Sequence, residues 1–185
     1  MDKRFATAFL PLRTRKVLGR TLQPFSIRHR MILEAMESPF VTPGKEFIKP
    51  KDLIIAAIVL SGRSVDECLK EPTIGDILRS WLLHRSREYF EYCLTGIKVH
   101  LEEGASYPLL FKKEGSSGSV GSRGLDWRAL LIGSLVKHGV SVEEVLTMPE
   151  SQVVWLYTAI AISEGVEVDI LPTDQEEELE KQPTR

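Results

Sequence analysis

The chain has two cysteines in 185 residues, Cys68 and Cys93, with no CxxC spacing between them. That scarcity argues against a disulfide framework or a zinc knuckle and fits a reducing compartment. Long apolar runs are also missing. The longest, Leu53 to Leu60, has eight residues, against the roughly 20 needed to span a bilayer. No basic start leads into an apolar signal segment, because Arg13, Arg15 and Lys16 interrupt it. A cytoplasmic protein with no membrane partner is therefore expected. An excess of one charge is lacking as well: the net charge is -2, which argues against a general nucleic-acid or membrane-surface binder.

The motifs that carry chemistry are absent too. Residues 115–124, GSSGSVGSRG, are rich in glycine but lack the Gly-Lys-Ser/Thr ending or GxGxxG of a phosphate cradle. No serine stands in a GxSxG elbow. His84 and Glu88 share i, i+4 spacing, but no second histidine completes a zinc-protease helix, and Arg85 and Arg87 flank them; a solvated charge pair is the reading. No catalytic residue, metal site or cofactor is expected.

What is present is helix grammar in an ordinary globular composition, 43% apolar and 27% charged. The expected fold is mainly α: a bundle of about six helices, with a short extended N-terminal segment and a disordered acidic C-terminal tail. Ser26 reads as the N-cap of the first helix, continued by Ile27, Met31, Glu34 and Ala35 at helical spacing. Residues 12–22 read as extended or as a short hairpin. Pro50 is placed to open a second helix, with Asp52 in its first turn. Its core, Leu53 to Leu60, is apolar on every side and so belongs at the centre of a bundle. Gly62 is expected to take positive φ after it. Thr73 caps a long helix with Ile77, Trp81, Leu82, Tyr89, Tyr92 and Cys93 on one broad stripe, ended or kinked at Gly96. Beyond 115–124, Asp126 caps a helix and Ser141 with Glu144 makes a capping box. The domain expectation is 1–111, a loop or linker at 112–124, a helical hairpin at 125–171 and a tail at 172–185.

Two stretches echo each other. Gly62 to Pro72 and Gly139 to Pro149 share the order Gly, Ser-Val, acid, Glu, Leu, Pro, 77 residues apart. Helices need such caps everywhere, so convergence is preferred to duplication. The second stretch has the rhythm of a helix-turn-helix reader, but the residues it would offer to DNA are Val142, Glu143 and Glu144, and the two carboxylates would be repelled.

Charge is unevenly spread. Eight Lys or Arg face one Asp in residues 1–30, whereas eight Asp or Glu face two basic residues in 164–185. Phosphate contacts by Arg13, Arg15, Lys16 and Arg20 are the alternative reading of the basic arm; docking on acidic protein surface is preferred.

The segment Val17-Leu18-Gly19-Arg20-Thr21-Leu22-Gln23-Pro24-Phe25-Ser26, leading into a helix with His29, resembles small helical proteins of tailed phages. So does the closing Gly-Val-Ser-x-x-Glu-x-Leu-x-Met-Pro helical pair with its acidic tail. The nearest named group is the tail assembly chaperones. That resemblance implies a non-enzymatic helical protein binding tape measure or tail tube proteins. The Gly/Ser-rich insertion and the basic N-terminus depart from the family pattern. Candidate protein-binding anchors are Trp127, Leu131, Leu135, Trp155 and Ile162, each weighed against a plain core role, and self-association is compatible. The alternatives are a DNA-associated phage regulator or packaging factor using the basic arm, and a structural head-tail connector or completion protein.

Overall fold

A computed structural model describes residues 3–10, 14–45, 47–107, 110–112, 126–166 and 168–170. Arg13, most of the 112–124 linker and the 172–185 tail lie outside the described residues. The fold is mainly helical, as expected, with nine helices among the described residues rather than about six. The chain divides into two compact units. One gathers Met1–Leu10, Ser106–Val145 and Ser151–Arg185, and the other joins Pro11–Ala105 to Leu146–Glu150. Residues 1–10, placed by sequence with residues 1–111, thus group with the C-terminal helices, whereas the rest of the basic arm stays with the larger unit.

In the larger unit, α3 (Pro50–Ser61) is the axis. Pro50 stands at its start, and Asp52 accepts the Lys49 backbone N–H at 2.8 Å, satisfying a donor that a helix N-terminus leaves open. Leu53, Ala56, Val59 and Leu60 have no exposed surface; the leucine and valine side chains each contribute about 1.5–3 kcal/mol by leaving water. Around this axis pack α2 (Ile27–Ala35), α4 (Val65–Cys68), α5 (Ile74–Arg85) and α6 (Arg87–Gly104). On α2 it is Ile27 and Leu33 that turn inward; Met31 is exposed.

The N-terminal hairpin forms as β1 (Lys16–Val17) and β2 (Arg20–Thr21), antiparallel, with Lys16 opposite Thr21. Leu18 and Gly19 turn it with φ of 51° and 70°. A leucine in the left-handed region costs about 1–2 kcal/mol, and Leu18 offsets this by burying its side chain in the core. Gly96 does not end a helix: α6 runs through it to Gly104. Its missing side chain instead admits Val17, whose Cγ2 would lie 3.0 Å from a Cβ at that position. The break falls at Ser86, the C-cap of α5 and N-cap of α6, whose hydroxyl accepts the Tyr89 N–H. His84 and Glu88 therefore sit on different helices, not on one helical face.

The echoed glycines also part company. Gly139 has φ of 93°, and the Val140 N–H reaches back to the Leu135 carbonyl at 3.1 Å, a left-handed helix stop. Gly62 has φ of -81° and an extended backbone, contrary to the positive φ expected. Its requirement is space: a Cβ there would lie 2.6 Å from the Cys68 backbone nitrogen. Similar letters serve different physics at the two sites.

In the smaller unit, α1 (Lys3–Phe9) is a short helix of seven residues ahead of Pro11. Its Phe5 ring meets Trp155 edge-on at 5.3 Å. Trp155 stands on α9 (Glu150–Ser163), and α7 (Trp127–Lys137) and α8 (Val142–Thr147) precede it. The Ser141–Glu144 capping box forms as expected, with bonds of 2.9 and 3.2 Å in the two directions. Strands β3 (Leu110–Lys112) and β4 (Val168–Ile170) pair antiparallel.

Candidate functional site

Helix α5 starts where Thr73 and Asp76 cap each other: the Thr73 N–H donates to Asp76 Oδ2 at 2.8 Å, and Thr73 Oγ1 accepts the Asp76 N–H at 3.4 Å. Asp76 is more than a cap. Its side chain is 2% exposed and also receives Arg20 from β2 at 2.7 Å and Arg79 at 3.1 Å. Burial pushes this carboxyl up, but the Arg20 bond, the two Thr73 bonds and the Arg20 charge outweigh it and hold the pKa at about 2. Leu83, one turn of helix and more beyond, is buried beside the core. Asp76 and Leu83 thus fix which way α5 faces.

The opposite face is bare. Ile74 is 79% exposed, Ile77 63%, Leu78 62%, Trp81 56% and Leu82 44%. At 3.6 residues per turn these five occupy one stripe about 140° wide. The Arg85 guanidinium lies 5.1 Å from the Trp81 ring centroid at the end of the stripe. Large apolar side chains scattered singly on a surface need no explanation, but a contiguous helix face of them marks an interaction site. The sequence showed Trp81 and its neighbours as an apolar stripe; whether another element covers it depends on tertiary placement.

The proposed anchors separate into two groups. Leu131, Leu135 and Trp155 are buried in the smaller unit, whereas Trp127 is 42% and Ile162 50% exposed. Of the candidate phosphate contacts, Arg15 bonds both oxygens of Glu103 at 3.0 and 3.1 Å. Arg20 is held by Asp76. Lys16 is exposed, and Arg13 lies outside the described residues. The arm residues Arg15 and Arg20 thus engage acidic side chains of their own unit.

Two buried histidines organise the chain entering α2. His29 occupies the position that a Glu or Gln takes in an ordinary capping box. Its Nδ1 accepts the Ser26 N–H at 3.2 Å, and Nε2 donates to the Gly62 carbonyl at 2.9 Å. His100 Nε2 donates to the Gln23 carbonyl at 2.8 Å. Burial, foremost, lowers both pKa values below 6.5, aided by the Arg28 charge at His29 and the Arg15 charge at His100, while the carbonyl bonds to Gly62 and Gln23 pull upward. A cleft of about 300 Å³ opens beside His29, lined also by Arg28, Arg63 and Thr147. Its polar groups bond the protein itself, Arg28 to the Arg63 carbonyl and Arg63 to Gln23.

Burial raises the pKa of both thiols, Cys68 and Cys93, so neither is disposed to act as a thiolate nucleophile. Among the described residues no group of three His, Cys, Asp or Glu could hold a metal ion, and no helix is long and apolar enough to cross a membrane. No protein-family model matches the chain, and no curated protein or solved structure is similar to it.

Proposed function

We propose that the protein is a non-enzymatic protein-binding module whose docking surface is the outer face of α5. The observation that carries this reading is the run Ile74, Ile77, Leu78, Trp81 and Leu82, exposed together on a helix whose other side is pinned by Asp76 and Leu83. Aromatic and aliphatic anchors of this kind dominate protein interfaces, and helical partners read them at i, i+3, i+4 and i+7 spacing. The resemblance to tail assembly chaperones gives the reading its particular form: shielding tape measure or tail tube proteins during assembly. Phosphate binding is less favoured, because Arg15 and Arg20 are engaged by Glu103 and Asp76.

Co-expression with an aggregation-prone tape measure or tail tube protein tests this. The wild-type chain should keep the partner soluble, and Ile77→Asp or Trp81→Ala should lose most of that protection while keeping wild-type circular dichroism. Equal protection by the Ile77→Asp variant would refute the assignment of α5.

A further inference from the structure

Resting on the reading of α5 as a docking face, we propose that its occupant is a second copy of this chain, paired antiparallel across a two-fold axis near Leu78. A two-fold interface requires a self-complementary patch: whatever residue i meets on the other copy must also suit residue i there. The α5 stripe has that property. Centred on Leu78, an antiparallel pairing sets Ile74 of one copy against Leu82 of the other, apolar against apolar.

The charges run in the same sense. Leading into α5 the chain carries Asp66, Glu67 and Glu71 against Lys70, whereas its C-terminal end carries His84, Arg85 and Arg87, with Glu88 and Glu91 beyond. Glu67 already accepts the Arg63 N–H and Arg87 already pairs with Glu91. Of the remaining charges, Glu71 in the segment leading into α5 and Arg85 in its last turn, whose guanidinium lies against the Trp81 ring, are both exposed and each seven positions from Leu78, and an antiparallel pairing brings them together twice, once at each end. Antiparallel packing also places each helix N-terminus beside the C-terminus of its partner, a favourable arrangement of the two helix dipoles. A parallel pairing would set acid against acid and base against base.

The area is sufficient. The five side chains present roughly 600 Å², at the top of the ~300–600 Å² found for the largest apolar patch of a monomeric protein. Mutual coverage of two such patches removes about 1,200 Å², the lower edge of a standard specific interface.

Sedimentation equilibrium of the full chain across about 1–200 µM provides the test. The expected result is reversible association between 20.9 kDa and twice that mass. Ile77→Asp should abolish it, placing two buried carboxylates at the axis. Glu71→Arg and Arg85→Glu should each weaken it about tenfold, since each turns two attractive contacts into repulsive ones; the double variant should return to within about threefold of wild type. All these positions are exposed, so a matched urea midpoint confirms that the variants fold. A wild-type chain that stays monomeric to 200 µM, a dimer that survives Ile77→Asp, or a double variant as weak as the singles would overturn the proposal. A monomer whose α5 still captures tape measure or tail tube protein would overturn self-pairing while leaving the docking face intact. A monomer that captures neither would overturn both.

Discussion

Asp76→Asn is the most informative single substitution in the larger unit. It keeps the volume and removes the charge of a side chain only 2% exposed that collects four donors: Arg20, the Thr73 N–H and the Thr73 hydroxyl on Oδ2, and Arg79 on Oδ1. An asparagine has one acceptor oxygen. If that oxygen takes the Oδ2 position, its NH₂ confronts Arg79; if it turns, the NH₂ confronts three donors. Breaking a buried ion pair from one side costs about 3–5 kcal/mol. Arg20 and Arg79 are 24% and 36% exposed and so regain some water, which brings the expected cost to about 2–3 kcal/mol. A second route gives a similar size: a carboxyl moved from 3.8 to about 2 contributes about 2.5 kcal/mol at neutral pH. The folded-state pKa is depressed, so this stability is present above pH 3.8 and is lost as pH falls through about 2. Urea denaturation at pH 7 should show the loss, and the variant should lack the wild type's decline between pH 4 and 2. A cost below about 0.5 kcal/mol at pH 7, or an unchanged acid limb, would refute the view that Asp76 anchors α5.

The two buried histidines predict a second pH dependence: their pKa values lie below 6.5 in the folded chain, so stability is full above pH 6.5 and falls as pH drops beneath it. Melting temperature should therefore decrease from pH 7.5 to 5, and His100→Gln, which can keep a donor toward the Gln23 carbonyl, should flatten that decrease; a melting temperature independent of pH over this range would count against it. The echoed glycines should respond oppositely to substitution. Gly139→Asn should cost less than Gly139→Ala, because asparagine tolerates left-handed backbone, whereas Gly62→Asn should cost more than Gly62→Ala, because the Cys68 backbone leaves no room. Urea midpoints of the four variants check this, and parallel behaviour at the two sites would refute the distinction.

Much of the architecture was legible because it is written locally. Ser26, Thr73, Asp126 and Ser141 cap helices where their spacing says they should, and Pro50 opens the central one. The all-apolar Leu53 to Leu60 segment lies in the core, since a helix with no polar face has no other stable place. What escaped was set by distant neighbours. Nothing near Gly96 reveals that Val17, 79 positions earlier, presses against it. Helix α1 is seven residues of a basic segment, and its Phe5 packs on Trp155, 150 positions later; tertiary contact overrides weak local preference at that length. The site was half legible. Periodicity found Ile77, Trp81 and Leu82 of the α5 stripe, joined to Tyr89, Tyr92 and Cys93 that belong to α6, but periodicity gives only the direction of an apolar face, not what covers it.

That distinction explains why Trp155, which the sequence offered as a binding anchor, and Trp81, which it offered only as part of an apolar stripe, differ in role. Trp155 lies in a helix with Val153 and Val154 buried beside it, and α1 supplies Phe5 to close over its ring. Trp81 lies in a helix that buries the carboxylate Asp76 with Leu83 and turns a broad apolar face outward. Burying a carboxylate while exposing five large apolar side chains inverts the usual economy of a surface helix. The inversion is stable because Arg20, Arg79 and Thr73 compensate the charge, but nothing within the described larger unit compensates the exposed face. An ion-paired anchor beneath and an uncovered apolar stripe above are two halves of one arrangement: the first spends local interactions to hold α5 in the orientation that the second requires for meeting another chain.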